Sequence, residues 1–205
     1  MMMMKAQSVR NLFDGAVKPI ARMSETRANS VAGLSSDVLI SIVLLVAGLR
    51  RADMHPIAAL LTILSGLLLF SLVEYCFHRW LFHGAEQVMQ QGHQKHHEDP
   101  LGFDALPFFL PPIGMLLLAG MFDLAMPTTY ALLLAGALAL GYAAYGLSHS
   151  VIHNTRFRHP LSRRWAAIHH IHHHHPDSNF GVTTPLWDIV LGTRYVSNRT
   201  RSGMP

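Results

Sequence analysis

The sequence predicts an all-α polytopic membrane protein, with about four transmembrane helices and a histidine-rich helical cap on the cytoplasmic side. Three observations predict it. Half of the 205 residues are apolar and only 14% are charged, against roughly 25% charged in an ordinary soluble domain. Asp, Glu, Lys and Arg are absent from 54–73, from 105–122 and from 124–155; runs of that kind mark helices that cross hydrocarbon, where a charge is costly. Fifteen histidines stand against three lysines, and most of them fall in four blocks at or beyond the ends of those runs. This composition excludes a disordered chain and a disulfide scaffold, and a single cysteine, Cys76, excludes a Cys-ligated metal site within one chain.

Residues 1–30 read as a cytoplasmic N-terminal segment. Its apolar start, Met1 to Met4, is too short for a secretory leader and no small-residue cleavage site follows. The first span covers 31–49 and is apolar apart from Asp37 and several serines. A tight turn at Arg50 to Met54 leads into the second span, 57–77. The third, 106–126, carries Pro107, Pro111 and Pro112 in its first turns, where proline disturbs a helix least. Met126, Pro127 and Thr128 turn the chain into the fourth span, 128–147. Residues 31–205 thus read as one membrane-embedded domain, with the cap made of 78–105 and 148–205. Two hairpins place both termini and the middle segment on one side. Arg10, Lys18, Arg22 and Arg27 before the first span, and seven arginines after His153, make that side cytoplasmic. Arg50 and Arg51 in the opposite turn are the minority signal. A bacterial inner membrane or the endoplasmic reticulum suits this topology.

The histidine spacings carry chemistry. Positions i, i+3 and i+4 of a helix share a face, so His93, His96 and His97 are expected to point together, as are His149 and His153. His170, His173 and His174 show the same spacing, and so do His169, His172 and His173. His78 and His83 are five apart, about 140° around an ideal helix, and converge only if the helix bends, frays or ends between them. Neutral imidazole is the commonest transition-metal ligand. Four blocks exceed what one tetrahedral zinc takes and suit two metals with open positions. Imidazole alone does not choose among iron, copper, nickel and zinc. The isolated His55 and His159 read as ordinary surface histidines. Glu74, one turn before His78, reads either as a carboxylate that orients a ligand, as Asp188 does, or as the partner of Arg79. Trp165, Trp187 and Tyr195 read either as packing residues or as anchors holding the C-terminal segment against lipid headgroups.

The four blocks in this order resemble those of the fatty acid hydroxylase/sterol desaturase superfamily, integral-membrane non-haem di-iron enzymes. The matching residues are His78/His83, His93/His96/His97, His149/His153 and His170/His173/His174, with His169 as an additional candidate; this last register matches the family's paired histidines before the block. Within the superfamily the chain looks most like fatty acid 2-hydroxylases. Glu74-Tyr75 before His78-Arg79-Trp80-Leu81-Phe82-His83 is similar to their first block. Pro100, Asp104 and Pro111-Pro112 fall on their P-x-D and P-P features. Asn179-Phe180-Gly181-Val182-Thr183, Trp187-Asp188 and Gly192-Thr193 match their C-terminal ending. Asn154 and Met89 stand where those enzymes usually carry further histidines.

The resemblance implies two iron ions, with zinc able to take the site in purified protein, and dioxygen as co-substrate. It implies hydroxylation of a lipid C–H bond, most plainly on a fatty acyl chain, with electrons from a separate donor such as cytochrome b5 or a ferredoxin, since the sequence shows no cytochrome b5 domain. Carotenoid hydroxylation, or oxidation or desaturation of a sterol or sphingoid base, are the alternatives within the enzymes. Metal transport or storage is the alternative outside them, but a transporter places its ligands near the middle of its spans, where this chain has Leu, Ala and Gly. No activated serine or cysteine and no phosphate-cradling loop stands out, which removes hydrolase and kinase readings. The arginines accompany no nucleic-acid motif, so topology and anionic lipid explain them.

Overall fold

The computed structural model describes residues 22–84, 88–103 and 105–197; Asp104, Arg10, Lys18 and the last two arginines lie outside them. The described residues are helical with no strand. In chain order they form α1 (Arg27–Leu49), α2 (Pro56–Cys76) continued by a π-helical segment (Phe77–Phe82), α3 (Val88–Glu98), α4 (Leu110–Asp123), α5 (Thr128–Asn154), α6 (Pro160–His174) and the short α7 (Leu186–Val190). α1 opens at Thr26, whose hydroxyl accepts from the Asn29 amide at 3.1 Å, a helix N-cap worth about 1 kcal/mol.

α5 is the central helix, packed against α1, α2 and α4. It is built for that place by small residues: Ala131, Ala135, Gly136, Ala137, Ala139, Gly141 and Ala143 are all buried. Without a hydrophobic force between helices in lipid, close backbone approach supplies the packing. A Cβ on Gly66 of α2 would stand 2.6 Å from the Ala137 Cβ, and one on Gly136 would stand 2.9 Å from the Leu45 backbone of α1. Gly66→Leu is therefore expected to overpack the α2–α5 contact and to cost about 1–3 kcal/mol, seen as a lower melting temperature in detergent.

Among the described residues, three helices are long and apolar enough to cross a membrane: Arg27–Leu49, Pro56–Phe82 and Thr128–Asn154. The expected span at 106–126 yields a shorter helix, α4, of 14 residues. At 1.5 Å per residue that is about 21 Å, short of a hydrocarbon core of about 30 Å. Proline is the cause. Pro111 and Pro112 sit in the first turn, where their missing N–H groups are not needed, and the chain before them stays non-helical. Its backbone groups are satisfied by α1 instead. Asn29 Nδ2 donates to the Leu106 carbonyl at 3.0 Å, Asn29 Oδ1 accepts from the Phe108 amide at 3.0 Å, and Ser36 Oγ donates to the Phe108 carbonyl at 2.8 Å. Non-helical backbone at membrane depth is tolerated only with such partners. From there α4 runs beside α1, with Ala119 against Leu44 and Ala135, and reaches the turn into α5 beside Gly48, near the other end of α1.

α5 also continues to Asn154, past the expected end at 147. His149 and His153 therefore ride on the last turns of a spanning helix and not on a separate cap.

Candidate metal centre

The end of α2 solves the five-residue spacing of its histidines. Phe77–Phe82 is π-helical, with the His83 amide donating to the His78 carbonyl at 3.2 Å. An i→i+5 ladder brings positions five apart onto one face, where an α-helix would separate them. The two imidazoles lie with centroids 5.1 Å apart.

Ten histidines gather in two groups of five. His78, His83, His93, His97 and His172 form one; His96, His149, His153, His169 and His173 form the other, and in each the donor atoms lie within 4.8 Å of one another. The construction is a pseudo-symmetric exchange. The end of α2 gives His78 and His83 to the first group, and the end of α5 gives His149 and His153 to the second. α3 places His93 and His97, an i/i+4 pair, in the first group and His96 in the second. α6 places His169 and His173, again an i/i+4 pair, in the second group and His172 in the first. Adjacent residues on a helix point about 100° apart, so the doublets His96-His97 and His172-His173 feed neighbouring sites from one helix. The rings of His97 and His173 stack at 4.3 Å where the groups meet.

This refines one expectation and corrects another. His93, His96 and His97 all turn toward the centre but divide between two adjoining groups. In the last block the register is His169/His172/His173, not His170/His173/His174. His170 and His174 are exposed and belong to neither group, while His169 and His172 are fully buried. The sequence carried only a partial signal for this. Trp165 and Ala166 pack inward, and seven residues beyond them, on the same face of α6, stand His172 and His173, whereas His170 and His174 stand seven beyond the exposed Arg163 and Ala167. His169 follows Trp165 by four and Ala166 by three, but His170 also follows Ala166 by four. Asn154 donates to the Ser150 carbonyl, and His159 caps α6 by accepting from the Leu161 amide; both stay outside the groups.

The ring nitrogens cannot be satisfied by one another. Nε2 of His93 lies 3.0 Å from Nε2 of His78, His83 and His97, and Nε2 of His83 lies 3.0 Å from that of His172. A neutral imidazole has one N–H. His78 donates its Nδ1–H to the Phe180 carbonyl, and His172 donates its Nδ1–H to the Ser178 carbonyl at 2.8 Å. Their Nε2 atoms are consequently bare lone pairs, and no choice of tautomers turns three close approaches to one Nε2 into hydrogen bonds. In the second group Nε2 of His169 lies 3.0 Å from that of His153 and 3.2 Å from that of His173, and the buried Nε2 atoms of His96 and His149 have no hydrogen-bond partner. Converging lone pairs call for a cation. With metal–nitrogen bonds of about 2.1 Å, nitrogens at right angles stand about 3.0 Å apart and tetrahedral ones about 3.4 Å. The donor set fits a shell of five or more ligands in each group.

Burial, helped by neighbouring rings, keeps these imidazoles neutral and ready to ligate. It lowers His83 to about 4, His96 to about 3 and His172 to about 3, and lowers His93 and His173 further. Each lies below the unfolded value near 6.5, so below that pH the unfolded chain binds more protons. Stability of the metal-free protein is therefore expected to hold above about pH 6.5 and to fall steeply as the pH drops toward 4. Thermal melts of chelator-stripped protein across that range check it; a flat profile contradicts the buried neutral cluster.

The two candidate carboxylates act on a loop, not directly on a ring. Glu74 Oε1 accepts from the Val182 and Thr183 amides at 2.7 and 2.9 Å, and Oε2 accepts from the Thr183 hydroxyl; Glu74 is not the partner of Arg79, which donates to the Tyr75 hydroxyl at 2.9 Å. Asp188 accepts from the Phe180 and Gly181 amides, both at 2.8 Å, and from the Thr193 hydroxyl at 2.7 Å. The loop they hold, 178–183, carries the carbonyls that orient His78 and His172. Asn179 within it has φ 57°, a left-handed conformation that Asn tolerates better than most residues, and a Cβ on Gly181 would collide with the Thr184 carbonyl. Trp165 donates to the Val182 carbonyl at 3.0 Å and Trp187 to the Ser71 hydroxyl at 2.9 Å, and Tyr195 stacks on His175 at 4.3 Å. These aromatics pin the segment to the protein itself. Sequence reasoning missed the role of Ser178 and Phe180, because backbone carbonyls have no sequence signature.

Known proteins resemble this chain in sequence and in fold. Residues 63–193 match the profile described as fatty acid hydroxylase. A dihydroceramide fatty acyl 2-hydroxylase of Arabidopsis thaliana is 29% identical over 64% of this chain and 59% of its own length. The fatty acid 2-hydroxylase of Homo sapiens is 32% identical over 62% of this chain and 38% of its own. The chain thus spans well under two thirds of these relatives. The solved structure of full-length scs7p, in which only the hydroxylase domain is visible, superposes with a TM-score of 0.67 at 25% identity, covering 85% of this chain and 69% of that one.

Proposed function

Since the chain belongs to the fatty acid hydroxylase family, we propose that it is a membrane-bound oxygenase that hydroxylates a lipid C–H bond, with a fatty acyl chain as substrate and C2 as the carbon attacked. The observation that carries this reading is the pair of five-histidine groups, ten neutral nitrogen donors divided over two adjoining sites. His78, His83, His93, His97 and His172 hold one metal, and His96, His149, His153, His169 and His173 hold the other, iron in each case. Two irons so held supply dioxygen activation and an oxidant able to take hydrogen from an unactivated C–H bond. Dioxygen, two electrons and two protons are consumed, and one oxygen atom leaves as water. The electrons come from a separate carrier of the cytochrome b5 or ferredoxin type.

The protein's own residues bind and position. The ligands ride on the ends of α2 and α5 and on the two helices α3 and α6 that adjoin them, so the centre sits where a spanning helix leaves the hydrocarbon. An acyl chain lying in the bilayer reaches it with its carboxyl end at the interface. Loop 178–183 fixes two of the rings through its carbonyls, held in turn by Glu74 and Asp188. The segment 105–126 completes a fourth crossing, since it begins level with Asn29 and ends at the turn into α5. With four crossings the centre and both termini face the cytoplasm, in agreement with the arginines around them. Residues 31–205 then form one catalytic domain.

The test is expression in a host without such lipids, followed by mass spectrometry of the hydrolysed acyl chains, with iron measured in the purified protein. Two irons per chain and acyl chains carrying one added oxygen at C2 are expected. A product lacking two hydrogens in place of gaining an oxygen would establish desaturation and overturn the hydroxylase reading.

A further inference from the structure

The pseudo-symmetric exchange of histidines makes the two groups alike in donor number and in the helices that supply them. They differ in what lies behind the rings. In the first group His78 and His172 each hand the distal N–H to a loop carbonyl, that of Phe180 and that of Ser178. In the second group the distal Nδ1 atoms of His169 and His173 are buried with no hydrogen-bond partner. A partner on the far nitrogen fixes tautomer and ring orientation and raises ligand basicity, and its loss lowers metal affinity about 10–100-fold.

The loop that supplies those carbonyls is itself over-determined. Asn179, between Ser178 and Phe180, donates from Nδ2 to the Ile168 carbonyl at 3.2 Å, accepts at Oδ1 from the Tyr195 amide at 2.9 Å, and donates its own amide to the Thr193 carbonyl at 3.0 Å. Asp188, completely buried, takes the next two amides. One left-handed residue thus turns the chain so that the carbonyls before and after it both reach rings of the same group.

We infer that the two metal sites are unequal: the loop of Ser178 to Val182 preorganises the group of His78 and His172, which fills first, while the group of His149 and His169 takes its metal more weakly. This rests on the di-metal reading above. Asp188 is then a positioning residue, acting on the first site through the Phe180 and Gly181 amides and the Phe180 carbonyl. In Asp188→Asn an amide NH2 replaces one acceptor and faces a backbone N–H, so one of the two loop amides loses its partner.

The experiment is titration of the chelator-stripped, detergent-purified full chain with Co2+ alone, followed by the visible absorption of the bound ion. Two classes of one equivalent each are expected, separated by about tenfold or more. His153→Ala should remove the weaker class and His83→Ala the tighter one. Asp188→Asn should weaken the tighter class by about 10–100-fold and leave the other in place, which also serves as the internal check on folding. Two indistinguishable classes, equal weakening of both by Asp188→Asn, or loss of the tighter class in His153→Ala would each overturn the inequality while leaving the two-metal reading intact. The two histidine variants decide the order of filling whether or not Asp188→Asn folds. Binding of fewer than two Co2+ ions by the unmutated chain would overturn both.

Discussion

His172→Ala is expected to remove one of the two metals and to lower lipid hydroxylation by more than about a hundredfold, while His170→Ala and His174→Ala leave metal content and activity close to those of the unmutated chain. The magnitude follows from comparison with indirect effects: loss of a group that merely orients a ligand costs about 10–100-fold, and loss of the ligand itself costs more. The contrast follows from helix geometry. His172 is buried with Nε2 3.0 Å from that of His83 and Nδ1 tied to the Ser178 carbonyl. His174 lies two residues on, about 200° around the helix, and is exposed. Metal analysis of the three purified variants, each with its melting temperature, settles the register. Retention of two metals in His172→Ala together with loss in His174→Ala would show that α6 is turned the other way in the working protein.

Much of this centre was legible before any coordinates. Charge-free runs located α2, α5 and the region of α4, and an apolar stretch broken by Asp37 located α1, because hydrocarbon tolerates few charges and the chain has few elsewhere to confuse the pattern. The His78/His83 spacing required a departure from α-helical geometry, and the π-helical segment supplies it. Three features were less accessible. The division of His93, His96 and His97 between two sites depends on where the neighbouring helices stand, which spacing along one helix does not report. Seven residues from His169 to His175 include six histidines, so spacing alone gives two equally good registers there; only the inward face set by Trp165 and Ala166 separates them. The shortening of α4 rests on Asn29 and Ser36 of another helix, which supply the hydrogen bonds that Pro111 and Pro112 leave the preceding chain without.

Glu74 shows how a carboxylate can matter to a metal centre that it never touches. Its two oxygens receive three donors of the C-terminal loop, the Val182 and Thr183 amides and the Thr183 hydroxyl, from a position that is 6% exposed. Glu74→Ala strands those donors in a buried place, at about 1–3 kcal/mol for each one left unsatisfied. The expected loss is therefore several kcal/mol, a large part of the roughly 5–15 kcal/mol that holds an ordinary domain together. Glu74→Gln should retain most of this. Its carbonyl oxygen keeps both backbone amides, and its NH2 meets a hydroxyl that is able to turn and accept. If the role is to hold the loop, the two variants separate widely in melting temperature, and metal affinity follows stability, with Glu74→Gln near the unmutated chain. If negative charge near the metals were the essential contribution, Glu74→Gln would fail as badly as Glu74→Ala although it folds. Melting curves of the stripped protein and Co2+ titrations of both variants distinguish these outcomes, and the hydrogen bonds favour the first. The chain of support then runs from carboxylate to loop amide, from loop carbonyl to imidazole, and from imidazole to metal, so a substitution two bonds removed from the centre reaches it through backbone geometry.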